Sequence, residues 1–134
     1  VSEGDWRWIA PGYFTEPSGT LGVMELGRHL PFPVKRVFWL FGMPDQTVRR
    51  GDHAHADLQQ VVYCARGSCL IELIARDGTT ETHELREGGP ALYLNGPVWR
   101  TMTRFSADAA FIALCDREYA FDTVIRERAE FFGA

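Results

Sequence analysis

The chain has 134 residues, 46% hydrophobic and 24% charged, the balance of a single globular domain over 1–134 that buries a core without staples. No apolar run approaches the ~18 residues of a membrane span, and the opening VSEGDWRWIAPG lacks the basic start and apolar centre of a secretory leader. A net charge of −4 argues against a duplex nucleic-acid partner, while leaving room for a small phosphorylated ligand held by a few arginines; with no apolar span, no membrane partner is expected either.

In chain order, short apolar runs alternate with turn signals, which is an all-β pattern. Strands are expected at 20–26, 34–42, 59–66, 68–75, 79–85, 91–95, 98–105 and 109–115, with the His53/His55 segment read as a further strand. Pro17-Ser18-Gly19, Pro31-Phe32-Pro33, Arg66-Gly67, Gly88-Gly89-Pro90 and Gly96-Pro97 mark turns, and Asp77-Gly78 is a hairpin signal. Strands at this spacing predict a jelly roll or barrel. Only the tail, 121–132, reads as helical, with Val124, Ile125, Ala129 and Phe132 forming an apolar stripe. Strand 109–115 is apolar on both faces; one face lines the barrel, and the other is covered either within the chain or by a partner subunit. Cys64, Cys69 and Cys115 lie in apolar runs without metal-ligand spacing and read as buried, reduced thiols, which fits a reducing cytoplasm.

The stretch from Arg49 to His55 carries the chemistry. His53 and His55, two apart on a strand, share one face. In metal-binding barrels of the cupin type, a glutamate follows such a pair by four or five positions, with a glycine seven further on. Gly67 is in place, but the carboxylate position is Gln60, or Gln59 at the shorter spacing. The fourth ligand, a histidine after a Pro-containing turn, is replaced by Arg100, a permanent cation that cannot ligate. No metal and no cofactor are therefore expected. Proton transfer by the two imidazoles is favoured, their ordinary pKa lying near 6.5. Arg100 stabilises an oxyanion, holds a phosphate, or pairs with a carboxylate. Arg49 and Arg50 suit a pyrophosphate clamp, with Gly51 allowing close backbone approach; a solvated loop is the alternative, stronger for Arg49. Phe38, Trp39, Phe41, Tyr93 and Trp99 read as core aromatics. At least one of the neighbours Trp99 and Arg100 must face away from the pocket. Glu25, Lys35 and Arg36 read as surface charges.

These segments resemble the cupin-type sugar 3,4-ketoisomerases that act on dTDP-4-keto-6-deoxyglucose, the WxcM-like family. RRGDHAHADLQQVVYCARGSC is similar to that family's core. GTLGVME, FPVKRVFW and LYLNGPVWR resemble its opening, its following strand and its later turn. The tail from Tyr119 to Arg126 resembles its closing motif, with Asp122 one position early. The resemblance implies a jelly-roll homodimer holding a dTDP-linked keto-deoxysugar in each barrel. It also implies a metal-free transfer of the ketone from carbon 4 to carbon 3 in deoxyamino-sugar biosynthesis. His53 and His55 match its catalytic histidines, and Arg50 and Arg100 match positions near the substrate. Gln60 is carried with them as a pocket residue. Phe38 and Trp39 stand where the family has paired tyrosines, and Ser18 stands where it commonly has arginine, so all three are substrate-side positions.

Two other readings share the fold. A dTDP-sugar epimerase exchanges protons at carbons 3 and 5 and leaves the ketone in place. A non-catalytic nucleotide-sugar binding module binds without exchange.

Overall fold

Period-two alternation sets the architecture, seen here in a computed structural model that describes residues 2–133. The strands are β1 (Asp5–Ile9), β2 (Gly12–Glu16), β3 (Gly19–Val23), β4 (Arg36–Phe41), β5 (Arg50–His55), β6 (Gln59–Arg66), β7 (Ser68–Ile74), β8 (Thr80–Arg86), β9 (Ala91–Asn95), β10 (Trp99–Thr103), β11 (Ala110–Cys115) and β12 (Val124–Ile125). A single 3-10 turn at Tyr119–Phe121 precedes β12, and a short α-helix, α1 (Arg128–Gly133), follows it. The first sheet runs β1-β9-β6-β11-β4 and the second β12-β5-β10-β7-β8, while β2 and β3 form a separate hairpin. The strand pairs are antiparallel throughout. This is the expected all-β jelly roll with a short C-terminal helical segment.

Between the sheets, Val62 and Cys64 of β6, Ile71 and Leu73 of β7, Leu85, Leu92 and Phe111 form the main core. Gly67 makes the β6–β7 turn at φ +63°, and a Cβ there would collide with Ser106 and the Ala109 backbone. The outer face of the first sheet is covered by Leu30 and Phe32, which pack on Ile9, Val61 and Tyr93. The outer face of the second sheet carries Ala54, Ile74 and Trp99, sealed by Ile125 and by Phe131 of α1. Cys64, Cys69 and Cys115 are free and buried.

Three expectations change. The helix expected over 121–132 is confined to Arg128–Gly133. Val124 and Ile125 instead pair with His55 and Ala54 of β5, because β5 would otherwise leave an unpaired edge beside a buried apolar patch. The segments β1 and β2 are strands outside the expected ranges. Trp39 and Phe41, read as core, are 59% and 71% exposed, because β4 is a sheet edge and their face points outward.

Candidate active site

β5 is irregular where the chemistry is. Against β10, Arg100 pairs with His53 but Thr101 pairs with Gly51, so Asp52 is an extra residue, a β-bulge. Gly51 and Asp52 take φ of +77° and +58°. A Cβ on Gly51 would lie 3.0 Å from the Arg100 carbonyl oxygen, so glycine is required. The bulge shifts side-chain parity by one. Arg50 therefore faces inward with His53 and His55, which strict alternation forbids. Asp52 turns outward, accepting hydrogen bonds from Trp99 Nε1 at 3.3 Å and Thr101 Oγ1 at 3.2 Å. Trp99 and Arg100 point to opposite faces, as expected.

The two imidazoles meet edge to face, Nε2 to Nε2 at 3.1 Å. His55 is 5% exposed, and its Nδ1 lies 2.9 Å from Asp122 Oδ1. A carboxylate only accepts, so His55 carries its proton on Nδ1 and presents a lone pair at Nε2. The His55 lone pair faces His53 Nε2, and a backbone hydrogen bond to Gly51 holds the His53 ring as well. Burial, then the charge of Arg100, pushes His55 down to about 3, against the pull of Asp122. His53 is lowered by the same two causes in the same order. Burial alone would push Asp122 up, but hydrogen bonds from Arg36 and His55 outweigh it and hold the carboxyl below its ordinary value. Both rings are thus neutral at neutral pH, with an anion behind them.

Arg100, 3% exposed, donates Nη1 to Gln60 Oε1 at 2.6 Å and Nε to the Val98 carbonyl at 3.0 Å. Its Nη2 is buried without a hydrogen-bond partner. Burial lowers it to about 10, still a cation at neutral pH. Gln60 donates its Nε2 to Cys115 Sγ at 3.4 Å. Gln59 faces away, bound to Tyr93 and Asp116, so Gln60 is the inward glutamine. A divalent metal does not fit this donor set. The only non-histidine oxygen at the ligand positions is engaged by a guanidinium, and that cation stands where the fourth ligand would be.

A cavity of about 80 Å³ lies among these groups, walled by Phe38, Leu40, Val62 and Phe111. It gathers His53, His55, Arg50, Arg100, Gln60 and Phe38 from the sequence reading. Trp39 points outward from β4, Ser18 sits exposed at the β2–β3 tip, and Arg49 is exposed, 3.8 Å from Asp52, so this chain does not bring those three to the cavity. A larger groove of about 580 Å³ runs beneath the hairpin, lined by Tyr13, Tyr63 and Leu114, and holds no histidine. Asp122 stands in the closing motif of the sequence without an assigned role. Its one signal was an acid alone in the aromatic and apolar run YAFDTVIR, within the closing motif.

Residues 5–134 match the family model FdtA, described as WxcM-like, C-terminal. A TDP-4-oxo-6-deoxy-α-D-glucose-3,4-oxoisomerase of Aneurinibacillus thermoaerophilus is 35% identical over 115 residues, covering 84% of this chain and 80% of that one. WlaRB, a TDP-quinovose 3,4-ketoisomerase from Campylobacter jejuni, superposes with TM-score 0.88 at 30% identity over 97% of this chain and 98% of its own. A histidine variant of the 3,4-ketoisomerase QdtA from Thermoanaerobacterium thermosaccharolyticum, solved with TDP-4-keto-6-deoxyglucose, gives 0.87 at 29%, over 96% and 91%. Sugar epimerases match at only 16% and 17% identity, a likeness of fold alone. The chain belongs to the WxcM-like family of cupin-fold sugar 3,4-ketoisomerases.

Proposed function

We propose that this protein isomerises a TDP-linked 4-keto-6-deoxyhexose, moving the ketone from carbon 4 to carbon 3. It is an intramolecular oxidoreductase. The observation that carries the mechanism is the neutral His53–His55 pair, anchored on Asp122 and facing a buried cation, in a chain 35% identical to an oxoisomerase.

His53, the less buried of the two, exchanges protons with the sugar, and His55 backs it. The proton on carbon 3 is acidic because the carbon-4 ketone takes up the electron pair as an enolate. The imidazole pair accepts that proton, and the Nε2–Nε2 contact becomes a charge-assisted hydrogen bond with Asp122 as counter-ion. The unpartnered Nη2 of Arg100 stabilises the oxyanion. The pair returns its proton to carbon 4 while the proton of the carbon-3 hydroxyl passes to the carbon-4 oxyanion, leaving a hydroxyl at carbon 4 and the ketone at carbon 3. Arg50 at the rim, with Arg49 beyond it, attracts the diphosphate. Phe38 supplies an apolar wall, and Gln60 braces Arg100. Of the three positions where this chain departs from the family, Phe38 reaches the cavity and tunes which sugar is accepted.

The working unit is a homodimer. The unpaired edge strand β4 exposes Val37, Trp39 and Phe41, and the hairpin exposes Phe14 and Leu21, which supports subunit contact through these faces. No helix among the described residues is long and apolar enough to cross a membrane, and three free cysteines support a reducing, cytoplasmic location. The test is incubation with TDP-4-keto-6-deoxyglucose and carbon-13 NMR of the product. A ketone at carbon 3 supports the reading; an unchanged sugar refutes it.

A further inference from the structure

Arg36 is not built like a surface charge. It opens β4, opposite Cys115 of β11, and its side chain is only 16% exposed. Its Nη2 lies 2.9 Å from Asp122 Oδ2 and 3.7 Å from Cys115 Sγ. The rings of Phe38 and Tyr119 flank the guanidinium, at 5.9 and 5.7 Å. Nε and Nη1 have no hydrogen-bond partner, so its directional bonding goes to Asp122 and Cys115. The Asp122 carboxylate, 1% exposed, is thereby divided, one oxygen on Arg36 and the other on His55.

We propose that Arg36 is a positioning residue. Its ion pair with Asp122 offsets the carboxylate's charge, so that His55 stays neutral and the histidine pair stays free to accept a proton from the substrate. The role rests on the isomerase reading above.

The sign follows from the charges around His55. On its own strand stands His53, and from β10 Arg100 faces it; both oppose an imidazolium. From the segment before β12 Asp122 favours one, while Arg126, just after β12, opposes charge on His53. From β11 Cys115 bonds to both Arg36 and Gln60 and leaves His55 to Asp122. With Arg36 in place, burial and the cations together outweigh the single carboxylate. Without it, a buried carboxylate has one partner left to neutralise it, and draws a proton onto His55. An imidazolium already in place cannot serve as the base.

The test compares Arg36→Gln and Arg36→Lys with wild type, using nitrogen-15 NMR of the histidine rings without substrate and the pH profile of kcat/KM. In Arg36→Gln, the His55–Asp122 pair should take up its proton at least about one pH unit higher, and the acid limb of kcat/KM should move up with it. Arg36→Lys, which keeps the cation, should stay near wild type in both. A folded Arg36→Gln protein with unchanged His55 titration overturns the proposal. So does a rise in KM with no change in titration or acid limb, which would make Arg36 a substrate contact. If Arg36→Gln does not fold, wild type decides: His55 must stay neutral down to the lowest pH at which the fold persists, and an imidazolium at pH 6 overturns the idea. The titration needs no turnover, so a wild type that moves no ketone would fail the isomerase reading separately.

Discussion

His55 and Asp122 are 67 positions apart in the chain and 2.9 Å apart in space, Nδ1 to Oδ1. The contact depends on β12, whose two residues pair with the end of β5 and set Asp122 just behind the histidine. It fixes the His55 tautomer and gives the imidazole pair a counter-ion.

Asp122→Asn should therefore lower turnover by roughly 10- to 100-fold, because an amide offers no anion and permits either tautomer. It should also lower thermal stability, because Arg36 loses its buried partner. Steady-state rates beside a melting curve check both, and a folded variant with wild-type turnover would remove Asp122 from the mechanism.

His53→Asn and His55→Asn should each cut turnover by roughly 10²-fold or more, since each removes a proton-transfer group. Single-turnover kinetics separates the two. Loss in only one variant would reduce the other histidine to a structural neighbour.

Stability should fall in acid because of His55. Its pKa is near 6.5 in the unfolded chain and about 3 in the fold, so between those values the unfolded state binds the extra proton. The contribution is whole above pH 6.5 and declines as pH falls toward 3. Urea unfolding from pH 7 to pH 4 should show wild type losing more stability than His55→Gln; parallel curves would contradict the burial of a neutral imidazole.

Two substitutions should create a metal site. Gln60→Glu combined with Arg100→His supplies two further ligands beside His53 and His55. The double variant should bind nickel or zinc at least about tenfold more tightly than wild type by calorimetry. Equal affinity in both proteins would show that Gln60 and Arg100 do not occupy the ligand positions.

Much of this was legible in the chain. Strands 59–66 and 91–95 stand where the pattern put them, because turn residues bound them tightly. His53, His55, Arg100 and Gln60 converge as their spacing suggested. The inward turn of Arg50 was not derivable from alternation, because a bulge changes parity without a composition signal beyond Gly51. Trp39 misled because an apolar residue on an edge strand reads like core until the sheet order is known. Arg36 read as a surface charge and Asp122 as a motif position without a role for a related reason: single charges gain meaning only when distant strands bring them together.

Trp39→Glu together with Phe41→Glu should break the proposed dimer into monomers, since the outward face of β4 would then carry charge at two positions. Light scattering on a sizing column checks the mass. An unchanged dimer would place the subunit contact elsewhere.

The central claim is that the His53–His55 pair carries a proton from carbon 3 to carbon 4. Incubation of the wild type with TDP-4-keto-6-deoxyglucose in heavy water, followed by NMR, tests it most directly. A ketone at carbon 3 is expected, with deuterium or returned hydrogen at carbon 4, and its loss in both histidine variants. A ketone that stays at carbon 4 with deuterium at carbons 3 and 5, or a product formed equally well by His53→Asn and His55→Asn, would contradict it.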